Sequence, residues 1–409
     1  MARKWSSTNR SCRRASSKKT QARWEMEDPM VVRFQPILFG ILTLLSYSPA
    51  DAGTPRLHDD HTVLTVPGSN NGVVVSGQGI AVVDLERGTT RWTLKAREVR
   101  EAWPLMQSDG LLVLLNESLV LLDRNSGVER WRREVRGAPC RPIELDGKLF
   151  LGEGASLVAL DAQSGGVLWT TAAVGEVTSI ASLGTDIVAG TRDGYITVVL
   201  RESGLLLLVA RVGLTVAELA VLGDVLAVGI EGPYLLGLSL SGHVEISKRW
   251  GLEASLLPDP TSSSLPLKLA GGRVATLAEG ASAPVVVGNG PAYARYLSGH
   301  AMVLSDGSTT VVHLVGLPRK TTIEDISGSG VDACSGPTGI VVLTRTLRGS
   351  RLTLLDHTGL VRWTEATDAN EIFACTDRIV LGGEAGLKAI DLAGRESWRR
   401  PWPRSEFRK

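Results

Sequence analysis

One pattern recurs in this chain at a nearly fixed interval, and few folds tolerate such a pattern. Asp-x3-Gly-x3-Trp occurs at Asp84, Gly88 and Trp92, at Asp123, Gly127 and Trp131, and at Asp161, Gly165 and Trp169. A form one residue shorter occurs at Asp356, Gly359 and Trp363 and at Asp391, Gly394 and Trp398. Fainter copies place Leu208 and Ile246 in the Trp position, so the anchors 92, 131, 169, 208 and 246 stand 39, 38, 39 and 38 residues apart. The interval from Ile246 to Trp363 is 117 residues, three times 39. A repeat near 40 residues cannot bury its own apolar face and must stack on its neighbours.

The best copy, Ser156–Trp169 (SLVALDAQSGGVLW), shows what each unit contains. Leu157–Leu160 is a short continuous apolar run, as in a strand covered on both faces. Asp161 and Gly165 then supply turn chemistry: a carboxylate that bonds to its own backbone a few residues on, and a residue free to take positive φ. Val167, Leu168 and Trp169 start the return strand. A Trp at one point of every sheet acts as a flat spacer between neighbouring sheets. Several short strands per 39-residue unit predict an all-β fold, a β-propeller of four-stranded antiparallel blades. Nine Trp-type positions fit between 92 and 398. Closure commonly splits one sheet between the termini and 251–335 is irregular, so eight blades are expected, with seven and nine as alternatives. Leu256–Pro266 reads as an inserted loop and as the place to look for an interface.

The 409 residues carry 44 basic and 43 acidic side chains, but unevenly. Residues 1–52 hold nine basic and four acidic residues, which leaves 35 and 39 for the rest. A slightly acidic body gives no electrostatic case for nucleic acid as a partner. Residues 1–29 are Ser-, Arg- and Lys-rich and read as a disordered basic segment, or as sequence upstream of a start at Met30. Met30-Val-Val-Arg33, the apolar Ile37–Leu45 and Ala50-Asp51-Ala52 form a bacterial-type secretory signal peptide over 30–52, cleaved near Ala52. The apolar stretch is short for a membrane span; an uncleaved N-terminal anchor is the alternative. A linker 53–60, a propeller over 61–400 and a tail 401–409 follow. Of four Cys, Cys140, Cys334 and Cys375 each precede the apolar run that opens a repeat. Cys334 and Cys375 fall in adjacent sheets; export permits a disulfide between them, and two buried thiols are the alternative.

The pattern V-x-x-G…G-x-[LI]-x-A-[LI]-D-x-x-[ST]-G-x-x-x-W resembles the repeat of the quinoprotein-type (PQQ-like) β-propellers. Residues 149–169 and 380–398 carry it most clearly, and it extends over roughly 72–399. The resemblance implies one of two functions. The dehydrogenase branch holds pyrroloquinoline quinone above calcium beside an acidic base. This chain is much shorter than those enzymes and has neither their adjacent cysteine pair nor a CxxCH haem motif. The exported, non-enzymatic branch, that of the outer-membrane barrel-assembly lipoprotein B, implies a scaffold that binds envelope proteins. The lipidated Cys of that branch is missing here.

No other constellation points to catalysis or a metal. Glu101, Glu144 and Asp325 are isolated acids and read as ordinary loop or strand residues. His58-Asp-Asp-His61 lies in the linker, which cannot preorganise a site. His243, His300, His313 and His357 stand alone. Asn116-Glu-Ser118 fits a glycosylation acceptor by chance, and Asp193-Gly194 and Asp306-Gly307 read as hairpin turns, since they lack the alternating carboxylates of a calcium loop. The expected function is a protein-binding scaffold in the periplasm or cell envelope that is not an enzyme, uses no cofactor and has no transmembrane span in the mature chain. The alternatives are a small oxidoreductase using PQQ with calcium, and a ligand-sensing propeller that uses the central channel.

Overall fold

The computed structural model describes residues 61–402, apart from 66–69, 138, 242–244, 258–263, 282, 291–292, 298–300 and 315–321. The basic segment, the signal-peptide stretch, the linker and the tail beyond Trp402 lie outside the described residues. The chain divides into two units, Met1–Tyr47 and Ser48–Lys409, and everything below concerns the second.

The described residues form antiparallel strands and one 3-10 turn at Ala270–Gly272. The strands run in four-strand meanders, paired in sequence order. The first meander shows why the sequence patterns look as they do. Its second and third strands, Asn71–Ser76 and Gly79–Asp84, are buried at every position. Sheets cover both of their faces, so they read as continuous Val and Ile runs. Its fourth strand, Thr89–Lys95, alternates exposed and half-buried residues, as a strand covered on one face must.

The other meanders follow at 99–134, 143–172 and 177–211, then 293–327, 329–367 and 369–400. Between 216 and 289 two meanders share a strand. Glu245–Leu256 pairs back on Tyr234–Ser241, and its last three residues pair forward on Leu267–Leu269. The described residues therefore form eight hydrogen-bonded sheets, one of them seven-stranded, from nine repeat-length meanders. Of the inserted loop expected at 256–266, Leu256 ends the shared strand and Ser264–Pro266 open the next, Ser264–Leu269. Only 258–263 between them lies outside the described residues. Tyr293–Leu297 pairs with Ala301–Ser305 and so opens a new sheet.

The first strands of successive sheets lie against one another. Val177–Leu183 meets Val216–Leu222, Tyr293–Leu297 meets Ser329–Gly336, and Ser329–Gly336 meets Ala369–Cys375. Ala369–Cys375 meets His61–Thr65, which closes the ring. First strands thus line the axis and fourth strands form the outer wall. Buried apolar clusters lie between neighbouring meanders. Leu112, Leu114, Leu119 and Leu121 of the second pack with Leu149, Leu151, Val158 and Leu160 of the third. At the closure, Val74, Ala81 and Val83 pack with Leu387, beside Phe373 and Trp398. The sheet split between termini that ring closure commonly uses is not found. His61–Thr65 completes the first meander and Glu396–Arg400 completes the last, so the seam closes by side-chain packing.

The repeated Asp, Gly and Trp form a latch between sheets. The Oδ1 of Asp161 accepts the N–H of Gln163 at 3.1 Å and of Ser164 at 2.7 Å, and its carbonyl accepts the Gly165 N–H at 2.9 Å. Gly165 then sits at φ +71°, and an added Cβ would lie 2.6 Å from Cδ2 of Trp131, from the preceding sheet. The Trp131 indole donates to the Ala162 carbonyl at 3.0 Å. Trp92 does the same over Gly127 to Arg124, Trp169 over Gly204 to Arg201, and Trp398 over Gly88 to Leu85, at 2.9, 3.1 and 3.1 Å. Trp363 donates to the Leu392 carbonyl at 2.9 Å. The 39-residue spacing therefore records contact between consecutive units.

The fifth meander corrects one anchor. A bulge in the pairing of third and fourth strands brings Trp92 opposite Val82 and Trp169 opposite Ala159. In the fifth meander the same bulge brings Trp250 opposite Gly237, so Trp250 takes the place the spacing gives to Ile246. The two strands of this hairpin, Tyr234–Ser241 and Glu245–Leu256, are longer than the six-residue strands Ser156–Asp161 and Val167–Ala172, and the phase moves by four residues.

Candidate functional site: the outer wall and the axial strands

Four of the Trp anchors meet a repeat glycine of the next sheet, Trp92 with Gly127, Trp131 with Gly165, Trp363 with Gly394 and Trp398 with Gly88, while each repeat Asp caps its own turn. The Arg130 guanidinium, with help from Ser126, holds the Asp123 carboxyl down at about 2 against the opposing effect of burial. The Ser164 hydroxyl and N–H lower Asp161, and the Thr358 hydroxyl lowers Asp356. The Arg395 N–H and side chain lower Asp391. At Asp84 burial pulls upward but is outweighed by the Arg87 N–H and the Arg91 guanidinium. Acids held as carboxylates by turn N–H groups are structural caps.

The axial strands carry the remaining titratable groups. Glu101 and Glu218 occupy matching places, each beside a bulge in the first strand of its sheet. Both are raised by desolvation, and Arg141 partly offsets this at Glu218. Asp332, two sheets before the seam, pairs with Arg295 and accepts the Ile372 N–H at 2.7 Å, so it ties three consecutive sheets together. Burial still raises its pKa. Glu144, read from sequence as an isolated acid, closes a turn of the neighbouring sheet by accepting the Gln107 and Ser108 N–H groups at 2.7 and 2.8 Å. The side chain of Asp325 lies outside the described residues. His357 bonds through Nε2 to the Pro337 carbonyl at 2.9 Å.

Among the described residues no three His, Cys, Asp or Glu side chains are grouped to hold a metal ion. Cys334 and Cys375 are joined as a disulfide between the eighth and ninth meanders, with Cα atoms 6.1 Å apart, inside the usual disulfide range. Cys140 is a buried thiol pushed up to about 11, chiefly by desolvation, and accepts the Gly152 N–H at 3.2 Å. Such a thiol is protonated and inert.

The outer wall is chemically uneven. Each fourth strand is an edge, with one row of backbone groups facing outward, and edges are normally guarded by charge. Most are guarded here: Glu129–Glu134 reads ERWRRE and Glu396–Arg400 reads ESWRR. Val167–Ala172 reads VLWTTA and Val285–Asn289 reads VVVGN, with no charge, and Leu206–Arg211 reads LLLVAR, with one at its end. Val128, Val167, Leu168, Leu205, Leu206 and Val209, on three consecutive meanders, are between 38% and 63% exposed. The sequence reading overlooked this wall. The scarcity of charge in these three fourth strands was a usable signal, hidden because aliphatic runs elsewhere in the chain are buried.

The sequence model of the family described as "Outer membrane protein assembly factor BamB" matches residues 76–232, which includes the second to fourth meanders. A comparison with curated proteins finds no match. Among solved structures, BamB from Moraxella catarrhalis is 18% identical, covering 73% of this chain and 83% of that one, with a TM-score of 0.42. The computationally designed Ika8 protein is 11% identical, covering 82% and 97%, with a TM-score of 0.47. The Cps50 (Swd1) β-propeller domain of Myceliophteria thermophila is 10% identical, covering 71% and 94%, with a TM-score of 0.45. With its four-stranded antiparallel sheets and its latch repeat, the chain is an all-β propeller whose repeats resemble those of the PQQ-like propellers, BamB among them.

Proposed function

We propose that this protein is an exported, non-enzymatic scaffold of the bacterial cell envelope, and that it binds protein partners along the outer wall of its second to fourth meanders. The observation that carries this reading is the unguarded edge at Val167–Ala172 and Leu206–Arg211, with its exposed Val and Leu side chains, within the region that matches the BamB family model. An uncharged edge with outward N–H and C=O groups suits an extended strand of a partner, since backbone bonds supply affinity and apolar side chains supply register. The signal-peptide stretch at 30–52 supports export, cleavage near Ala52 would free the ring, and the Cys334–Cys375 bond suits an oxidising compartment. No cofactor enters this reading.

The test compares the mature protein with a variant that guards the edge, Leu206→Lys with Val209→Lys. Both side chains are exposed, so the ring should fold unchanged. The mature protein should recover one envelope protein in near-equal amount from native membranes, and the variant should lose it. Equal recovery by both forms would move the interface elsewhere, and recovery of nothing by either would remove the scaffold reading. Substrate-dependent dye reduction with added PQQ and calcium would establish the oxidoreductase alternative instead.

A further inference from the structure

Between consecutive meanders the chain itself crosses from one sheet to the next, and between the ninth and the first it does not. In the first three meanders the crossing starts four residues after the anchor, with Ala96 after Trp92, Val135 after Trp131 and Ala173 after Trp169. Each of these residues donates its N–H to the turn between the second and third strands of its own sheet, at Gln78, Glu117 and Ala155, over 3.2, 2.8 and 2.9 Å. Each packs its small side chain against the apolar cluster shared with the next sheet. The residue four places after Trp398 is Trp402.

A second difference lies over the fifth residue of the second strand, which is a glycine in Lys148–Glu153, Asp186–Thr191 and Arg378–Gly383. A Cβ added to Gly152 would run into Val177, and one added to Gly190 into Val216. These buried valines open the first strands of the next sheets, so at those boundaries the notch over the glycine receives the neighbour. A Cβ added to Gly382 would instead run into Phe373, from the same sheet. Phe373 reaches that place through a second bulge in its strand, between Ile372 and Ala374. Among the described residues the other first strands carry one such shift or none.

Trp402 completes this filling. Its ring meets that of Phe373 edge-on, with centroids 6.1 Å apart and planes at 77°, a favoured aromatic geometry. Its indole donates to the Gly383 carbonyl at 2.9 Å. Both rings pack against the cluster of Val74, Ala81 and Val83 from the first meander and Leu387 from the ninth. The Trp398 latch grips the same seam at the opposite end of the strands, through Leu85. We propose that Phe373 and Trp402 form a strap that holds the ring shut at the boundary no chain crosses. Side chains can let go without breaking a strand pairing, and a crossing chain cannot. This end of the seam is therefore where the ring opens first, uncovering Val74, Ala81 and Val83 while the other boundaries stay held. The strap does not depend on what binds the outer wall.

Ala81→Cys places a thiol in the seam, and Ala189→Cys places one between the third and fourth meanders; both positions are buried. Reaction of the native protein with iodoacetamide, read by peptide mass spectrometry, follows each thiol apart from Cys140. The seam thiol should react faster than the internal one. Trp402→Ala should speed the seam thiol severalfold and leave the internal thiol at its parent rate, while Trp402→Phe, which keeps a ring against Phe373, should stay near the parent. Where Trp402→Ala does not fold, Phe373→Leu tests the same strap and should show the same selectivity. An internal thiol that reacts as fast as the seam thiol, or a seam rate that neither strap variant changes, would overturn the inference.

Discussion

Replacing Gly165 by Ala should separate the two demands that the latch makes on its glycine. Gly147 is the control. Its φ is +72° against +71° for Gly165, but nothing lies within 4 Å of the Cβ it would gain. Gly147→Ala therefore carries only the left-handed backbone penalty, about 1–2 kcal/mol, less about 0.5 kcal/mol from the stiffer unfolded chain. Gly165→Ala carries the same penalty and also places Cβ 2.6 Å from Trp131 Cδ2. The backbone cannot retreat, because the Gly165 N–H is bonded to the Asp161 carbonyl at 2.9 Å. Trp131 is buried among Leu112, Leu121, Leu149 and Val158, so it must tilt and release the Ala162 carbonyl. Loss of that bond costs about 1 kcal/mol, and strained packing adds about 1–3 kcal/mol. The expected totals are about 1 kcal/mol for Gly147→Ala and about 3–5 kcal/mol for Gly165→Ala. Urea unfolding followed by far-UV circular dichroism, with the slopes compared, measures both. A difference under about 1 kcal/mol between the variants would refute the latch. So would additivity of Gly165→Ala with Trp131→Phe, since residues in contact should couple.

Trp250→Ala should cost about 2–4 kcal/mol as a lost anchor, read by the same unfolding curve; a neutral result would return the anchor position to Ile246. Asp123→Asn should destabilise the protein by about 1 kcal/mol near neutral pH. Because Arg130 and Ser126 hold the folded carboxyl at about 2, that stability is present above the unfolded value of about 4 and is lost as pH falls through about 2. The two stability curves should therefore converge in acid, and parallel curves would exclude the cap role. Glu218→Gln should act oppositely: its folded pKa is raised by desolvation, so the carboxylate weighs against the fold as pH rises, and the variant should gain stability at pH 7 with no gain in acid. Cys334→Ser should cost about 2–4 kcal/mol, and peptide mapping without reductant should recover Cys334 linked to Cys375 in the parent protein.

The latch was legible because it is local in each copy. Asp161 and Gly165 act four residues apart, and Trp169 repeats their phase in the next unit. The central strands were legible for the same reason, since Val73–Val75 and Ile80–Val83 are buried on both faces and read as unbroken apolar runs. What escaped depends on pairings that spacing does not encode. One hairpin with lengthened strands, Tyr234–Ser241 and Glu245–Leu256, moved the anchor to Trp250, and the sharing of the second of them between two meanders looked like irregularity. Closure escaped too: nothing near residue 85 in the sequence announces Trp398, 313 positions away, as the donor to its carbonyl.

That closure bears on where function can sit. A ring closed by a shared sheet has backbone bonds across its last boundary, whereas this one has side-chain packing, the Trp398 bond at 3.1 Å and the Arg400 bond to the Gly88 carbonyl at 3.0 Å. Leu85 is buried there beside Val380 and Ala389, and ordinary boundaries carry Ala162 and Leu392 in the same place under their Trp donors. The last boundary is therefore built from the same latch as the others, and the ring closes because its final anchor Trp meets the first meander as each earlier Trp meets the next.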